Sequence, residues 1–242
     1  MSALEVCVGG INVRPFSSMD DALSAVFDAK GRLTPGFAVA VNPEKVILSQ
    51  ENAQVRKHLE SATVRFADGI GVVFAMRAKG TPSSRIAGCE LWEHVMERAA
   101  AHRTPVFLIG AKPETLAETR ERLVAVHPTL QIVGSQDGYF KPEEKQRLID
   151  EIVASGAKIV TVAMGSPRQE ELIAELRKAH PDAFYMGVGG TYDVFVGRVR
   201  RAPPLARRMK MEWLFRLLNE PARIWRQRRL VTFAVRLLTG RL

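Results

Sequence analysis

From residue 37 to residue 190, short apolar runs alternate with helical segments, and this alternation restricts the fold more than any other feature of the chain. The runs are FAVAV (37–41), ATVRFAD (62–68), PVFLIG (105–110), LQIVG (130–134), KIVTVAMG (158–165) and AFYMGVGG (183–190). They lack strict apolar–polar alternation, which is the pattern of strands covered on both faces. Between them, PETLAETRERLVAVH, PEEKQRLIDEIVASG and PRQEELIAELRKAH each open with proline. Its fixed φ and missing N–H suit the first helical position. Gly156 stands where a left-handed residue closes a helix. This β–α–β repetition predicts an α/β fold, Rossmann-like, with a mostly parallel sheet and helices on both faces.

In such a sheet, ligands bind beyond the carboxyl ends of the strands. Three of these ends carry a glycine followed by a helix start: LIGAKPE with Gly110, AMGSPRQE with Gly165, and MGVGGTYD with Gly189. Their backbone N–H groups and helix dipoles suit a nucleotide diphosphate. None matches G-x-G-x-x-G or a P-loop. In FADGIGVVFAMR, Asp68 falls at a strand end beside Gly69 and Gly71. It reads either as a cap for the following helix or as a general base left accessible by its small neighbours. Ser166 and Gln169 fit S-x-x-Q, a capping box with Pro167 at the first helical position.

The C-terminal stretch departs from this rhythm. From Arg198 onward there are 13 Lys+Arg and 2 Asp+Glu, a net +11, whereas the preceding residues carry 22 and 24, a net −2. The whole-chain +9 is therefore a property of the tail. Leu205, Met209, Trp213 and Leu217 form one helical stripe, and Pro221 separates it from a second helix. There, Ile224, Val231, Ala234 and Leu238 fall on one side and Arg228, Arg229, Thr232 and Arg236 on the other. This pattern fits an interfacial helix lying on an anionic bilayer, or one docked on the domain with its arginines solvated. The expected division is an α/β core over 1–197 and a basic amphipathic helical appendage over 198–242.

Other chemistries lack their residues. The five histidines are scattered, Cys7 and Cys89 form no CxxC pair, and no Asp-x-Asp is present, so no metal site and no cofactor are expected. No G-x-S-x-G elbow occurs. A nucleic-acid partner for the tail would call for base-stacking aromatics on the sheet, whereas most of the tail's apolar residues form helical stripes. No apolar run approaches the roughly 20 residues of a membrane span, and the N-terminus lacks a signal-peptide pattern. The expected location is the cytoplasm.

The blocks ADGIGVV, RIAGCELWE, VGSQDGYFKPEE, SGAKIVTVAMGSPRQE, YMGVGGTYDVFVGRVRRAP and EWLFRLLNEPARIWRQ resemble the WecG/TagA/CpsF family of bacterial glycosyltransferases, in family order and from about residue 10 to past residue 230. The resemblance implies inverting, metal-independent transfer of a sugar from a UDP-sugar donor to a polyprenyl-diphosphate-linked amino sugar, at the cytoplasmic face of the inner membrane. The wording VGSQDGYFKPE and YMGVGGTYDVF points to UDP-N-acetylmannosaminuronate as donor and undecaprenyl-diphosphate N-acetylglucosamine as acceptor. Transfer from UDP-N-acetylmannosamine or UDP-glucose is the alternative. By resemblance, Asp68 is the catalytic base, Arg85 and Gln169 are active-site polar residues, and Tyr139 and Asp193 lie near the uridine. Arg216, Arg223 and Arg226 belong to an appendage that closes over the site and helps bind the inner-membrane surface. Relatives carry Thr-Pro-Asn where this chain has Val41-Asn42-Pro43, a departure that leaves Asn42 only a candidate for the threonine's role, and Glu90 stands for a usual Asp. The resemblance also implies a homo-oligomer, although no interface is legible in the residues.

Overall fold

The computed structural model describes residues 4–199 and 224–242, with 224–227 described as backbone only. Six parallel strands form the central sheet: β3 (Gly36–Val41), β4 (Val64–Ala67), β5 (Val106–Gly110), β6 (Ile132–Gln136), β7 (Ile159–Ala163) and β8 (Phe184–Gly187). They are ordered β4-β3-β8-β7-β5-β6. β5, β7 and β8 are buried along their whole length, as their unbroken apolar runs require. The edge strands β4 and β6 both begin two residues into their runs, and the half-buried β6 also continues two residues past LQIVG. Its register against β5 slips between Val106 and Phe107.

Two apolar cores cover the sheet. On one side, α2 (Pro43–Glu51), α3 (Ala53–Glu60), α4 (Ile70–Ala78), α7 (Lys145–Ala154) and α8 (Arg168–Ala179) enclose Val39, Val41, Phe107, Val160 and Tyr185. On the other, α1 (Met19–Leu23), α5 (Gly88–Ala101), α6 (Pro113–Val126) and α9 (Thr191–Phe195) pack around Phe66, Trp92, Leu108, Ile159 and Phe184. Helices on both faces of a parallel sheet are the architecture expected from the sequence.

The helix starts hold in one case of three. Pro113 is at the start of α6. Pro142 instead opens a 3-10 turn that leads into α7 at Lys145, and Pro167 is the residue before α8. Gly156 has φ +67 just past α7, as expected. A hairpin of β1 (Val6–Val8) and β2 (Ile11–Val13) was not anticipated. Gly9 and Gly10, at φ +59 and +89, form its two-residue turn. The hairpin packs its second strand against β4, with Arg14 N–H donating to Arg65 O.

The second tail helix is α10 (Ile224–Leu238). The stripe Leu205, Met209, Trp213 and Leu217 lies outside the described residues. α10 packs on α2 and α4. Its anchor is Phe233, 2% exposed, against Gly71 next to Pro43. Of the two alternatives, the docked helix is the one present, with Arg228 exposed but Arg229 and Arg236 not solvated as that alternative had them. Arg229 pairs with Glu51 at 2.9 Å and Arg236 donates to Gln50, so these two arginines face α2. Val231, Ala234, Val235 and Leu238 point to solvent, Leu238 at 86% exposure.

Truncating a buried phenylalanine typically costs about 3–5 kcal/mol. Phe233→Ala should therefore release α10 without unfolding the sheet. Amide exchange across 228–238 should accelerate while β5 and β7 stay protected. Unchanged protection of α10 would show that Phe233 is not its anchor.

Candidate active site

Because the six strands are parallel, their carboxyl ends lie together and the following helices start there. The N-terminal turns of α2, α5, α6 and α8 surround a crevice of about 760 Å³, lined among others by Asn42, Lys45, Asp68, Arg85, Lys112 and Gln169. The volume suits a nucleotide-sized ligand. Four helix N-termini directed at one space favour negative charge there. Lys112 and Arg168, which sequence reasoning did not single out, add cationic side chains to the wall.

Asp68 follows β4, its N–H donating to Val41 O. The capping alternative fails, because the N-cap of α4 is Gly69, not Asp68. The Asp68 carboxylate instead faces the crevice, with Oδ1 3.4 Å from Gly88 N and 3.7 Å from Arg85 Nη2. Arg85 also donates from Nε to the Asp68 carbonyl. The guanidinium thus holds both the backbone and the side chain of Asp68, and the carboxylate remains 29% exposed.

The capping box is also corrected. α8 has no side-chain cap. The Gln169 side chain leaves its own helix: Oε1 accepts from Gly189 N–H at 2.9 Å, and Nε2 donates to Glu170 Oε1 at 3.0 Å. The same Glu170 oxygen receives Lys45 Nζ at 2.8 Å, and both side chains of this pair are buried. Burial pushes the Glu170 carboxyl up, but the Lys45 charge and hydrogen bond, with the Gln169 amide, outweigh it and hold the carboxyl below its ordinary value.

Asn42 lines the crevice, with Oδ1 accepting from Lys45 N–H to cap α2. Gly165 and Gly189 line it too, both in the left-handed region. Gly110 does not. It sits one residue back, where a side chain would collide with the backbone of Ala163, and Ala111 and Lys112 line the wall instead. Tyr139 stands at the rim, 68% exposed, and Asp193 accepts from the Thr115 hydroxyl at 3.2 Å. Glu90 lies in the first turn of α5. Arg216, Arg223 and the side chain of Arg226 lie outside the described residues. Tyr192 hydrogen-bonds Thr161 beneath the site; burial raises its phenol, which suits a packing role. Among the described residues, no three His, Cys, Asp or Glu side chains group as a metal site.

An open α/β sheet with an anion-favouring crevice at its strand ends defines a class of ligand-binding proteins. The particular family is given by the sequence match. Residues 6–242 match the glycosyl transferase WecG/TagA/CpsF family, and the chain belongs to it.

The depressed Glu170 carboxyl has a pH consequence. A group whose folded value lies below its unfolded value contributes stability above the unfolded value and loses it as pH falls through the folded one. Acid should therefore destabilise the wild-type protein more steeply than Glu170→Gln, through and below the ordinary carboxylate range. Parallel stability–pH curves from denaturant titrations would contradict this ionisation.

Proposed function

We propose that the chain is an inverting glycosyltransferase that moves N-acetylmannosaminuronate from a UDP donor to undecaprenyl-diphosphate-linked N-acetylglucosamine, in surface polysaccharide synthesis of the enterobacterial common antigen kind. The observation that carries the reading is Asp68, an accessible carboxylate held by Arg85 inside a crevice ringed by helix N-termini. Family membership supplies the reaction class.

In this mechanism the donor diphosphate lies over the turns after β5, β7 and β8, with its uridine toward Tyr139 and Asp193. Asp68 takes the proton from the acceptor hydroxyl as that oxygen attacks the sugar's anomeric carbon. The bond to the diphosphate breaks, and UDP leaves with the electron pair. Stabilising charge as it develops on the leaving group lowers the barrier. Lys112, Arg168 and the helix N-termini serve that role, with Arg216, Arg223 and Arg226 joining from the tail. Gln169 and Gly189 shape the donor cradle.

The same reading places the enzyme on the inner-membrane surface. No described helix is long and apolar enough to cross a membrane. The outward stripe Val231, Ala234, Val235 and Leu238, beside an exposed Arg228, suits shallow insertion into an anionic leaflet.

Asp68→Asn should leave UDP binding nearly intact and lower turnover by roughly 10²–10⁴, the usual worth of a general base. Turnover within a few-fold of wild type in the folded variant would remove Asp68 from that role.

The membrane reading is tested on the stripe alone. Val231→Glu with Leu238→Glu should abolish sedimentation with vesicles containing phosphatidylglycerol, while turnover on a detergent-soluble acceptor stays within a few-fold. Undiminished vesicle binding would mean that another surface makes the contact.

A further inference from the structure

The buried pair Lys45–Glu170 has no part in the mechanism above, and its surroundings suggest a different role. Lys45 sits in the first turn of α2, and Glu170 in the first turn of α8. They meet across 125 positions of sequence at 2.8 Å. Glu170 Oε1 carries both the lysine and the Gln169 amide, and the Ser166 hydroxyl adds the weakest of the contacts that hold the carboxyl ionised. Beyond that amide, Gln169 Oε1 holds Gly189 N–H. A Cβ at Gly187 would lie 2.6 Å from Gln169 Nε2, so β8 ends in a residue that leaves room for the amide.

These contacts fix the direction of the carboxamide. An ionised carboxylate only accepts hydrogen bonds, and a backbone N–H only donates. The Gln169 amide lies between one of each. Flipped, it would set its carbonyl against the Glu170 carboxylate and its NH₂ against the Gly189 N–H, losing both bonds. Lys45 keeps Glu170 ionised in a buried setting where a lone carboxyl would tend to protonate.

We propose that Glu170, paired to Lys45, is a positioning residue that locks the Gln169 carboxamide and through it the Gly189 turn, so that the loops after β3, β7 and β8 present one rigid cradle to the donor. Only the donor clause rests on the proposed function.

Two double variants separate this role from simple stabilisation. Lys45→Met with Glu170→Met replaces the pair by apolar side chains, an exchange often neutral or favourable for stability. Lys45→Glu with Glu170→Lys restores an ion pair but puts an ammonium, which cannot accept, beside Gln169 Nε2. In both, amide exchange at Gly189 in the ligand-free protein should rise about tenfold, the factor for roughly one hydrogen bond lost. The Kd for UDP should weaken by a similar factor while the thermal midpoint stays near wild type. Wild-type protection of Gly189 in either folded variant overturns the lock. A merely structural pair would give that result in the charge swap.

The wild-type protein supplies an arm that needs no variant. One Gln169 Nε2 proton should exchange slowly, and a carboxamide exchanging as freely as an exposed glutamine's overturns the proposal. If wild type binds no UDP, the donor reading fails, while the exchange results still decide the lock.

Discussion

Parallel pairing of β3, β8, β7 and β5 is the constraint on which the rest of the molecule depends. Parallel strands must be joined by crossovers, so each strand in this series ends on the same side and delivers a helix N-terminus there. The order also makes neighbours of distant sequence. β3 and β7 both flank β8, which brings the turn at Asn42–Lys45 and the turn at Gly165–Glu170 to either side of Gly187–Gly190. The Lys45–Glu170 pair closes that junction. Removing either partner alone would leave a buried uncompensated charge, a change that typically costs about 3–5 kcal/mol. The cradle and the local stability of the fold are therefore joined through one contact.

The tail illustrates how one amphipathic sequence can be divided between two surfaces. On a helical wheel, arginines on one side and aliphatic residues on the other describe both a bilayer-bound and a domain-docked helix. Phe233 decides, because it stands on the arginine side and fits against Gly71 beside Pro43. Once it is buried, Arg229 and Arg236 lie over α2, where Glu51 and Gln50 meet them. The aliphatic stripe is then directed away from the protein. Gly71 lies three residues after Asp68, so the helix that would rest on lipid is seated directly behind the turn that carries the proposed base.

Much of this architecture was legible because the central strands are buried on both faces, and their apolar runs are hard to mistake. β6, half-buried at the edge, has no such pressure and was displaced by two residues. The β1–β2 hairpin was missed because its three-residue strands give too little periodicity, although the Gly9-Gly10 turn was its visible sign. At the site, Asp68, Arg85, Gln169, Tyr139 and Asp193 line one crevice, as do Asn42, Gly165 and Gly189. Gly110 lies outside that lining and packs close to the Ala163 backbone, a role that a strand-end glycine fills as readily as ligand binding. The capping box misled because S-x-x-Q is a local pattern, whereas the partner that Gln169 takes is Gly189, 20 residues on. Lys45 and Glu170 were not legible at all. An acidic residue in the first turn of a helix already suits the dipole, and nothing near Glu170 in sequence indicates a lysine 125 positions away.

The central claim is transfer of an acidic sugar from a UDP donor to a lipid-linked acceptor. It is tested most directly by offering the purified full chain UDP-N-acetylmannosaminuronate, UDP-N-acetylmannosamine and UDP-glucose in parallel, with a short-chain polyprenyl-diphosphate N-acetylglucosamine, and weighing the products. A single product whose mass gain equals one N-acetylmannosaminuronate residue, formed with release of UDP, is the expected result. Equal or faster transfer from either neutral donor would contradict the assigned donor, and no transfer from any of the three would contradict the proposed reaction.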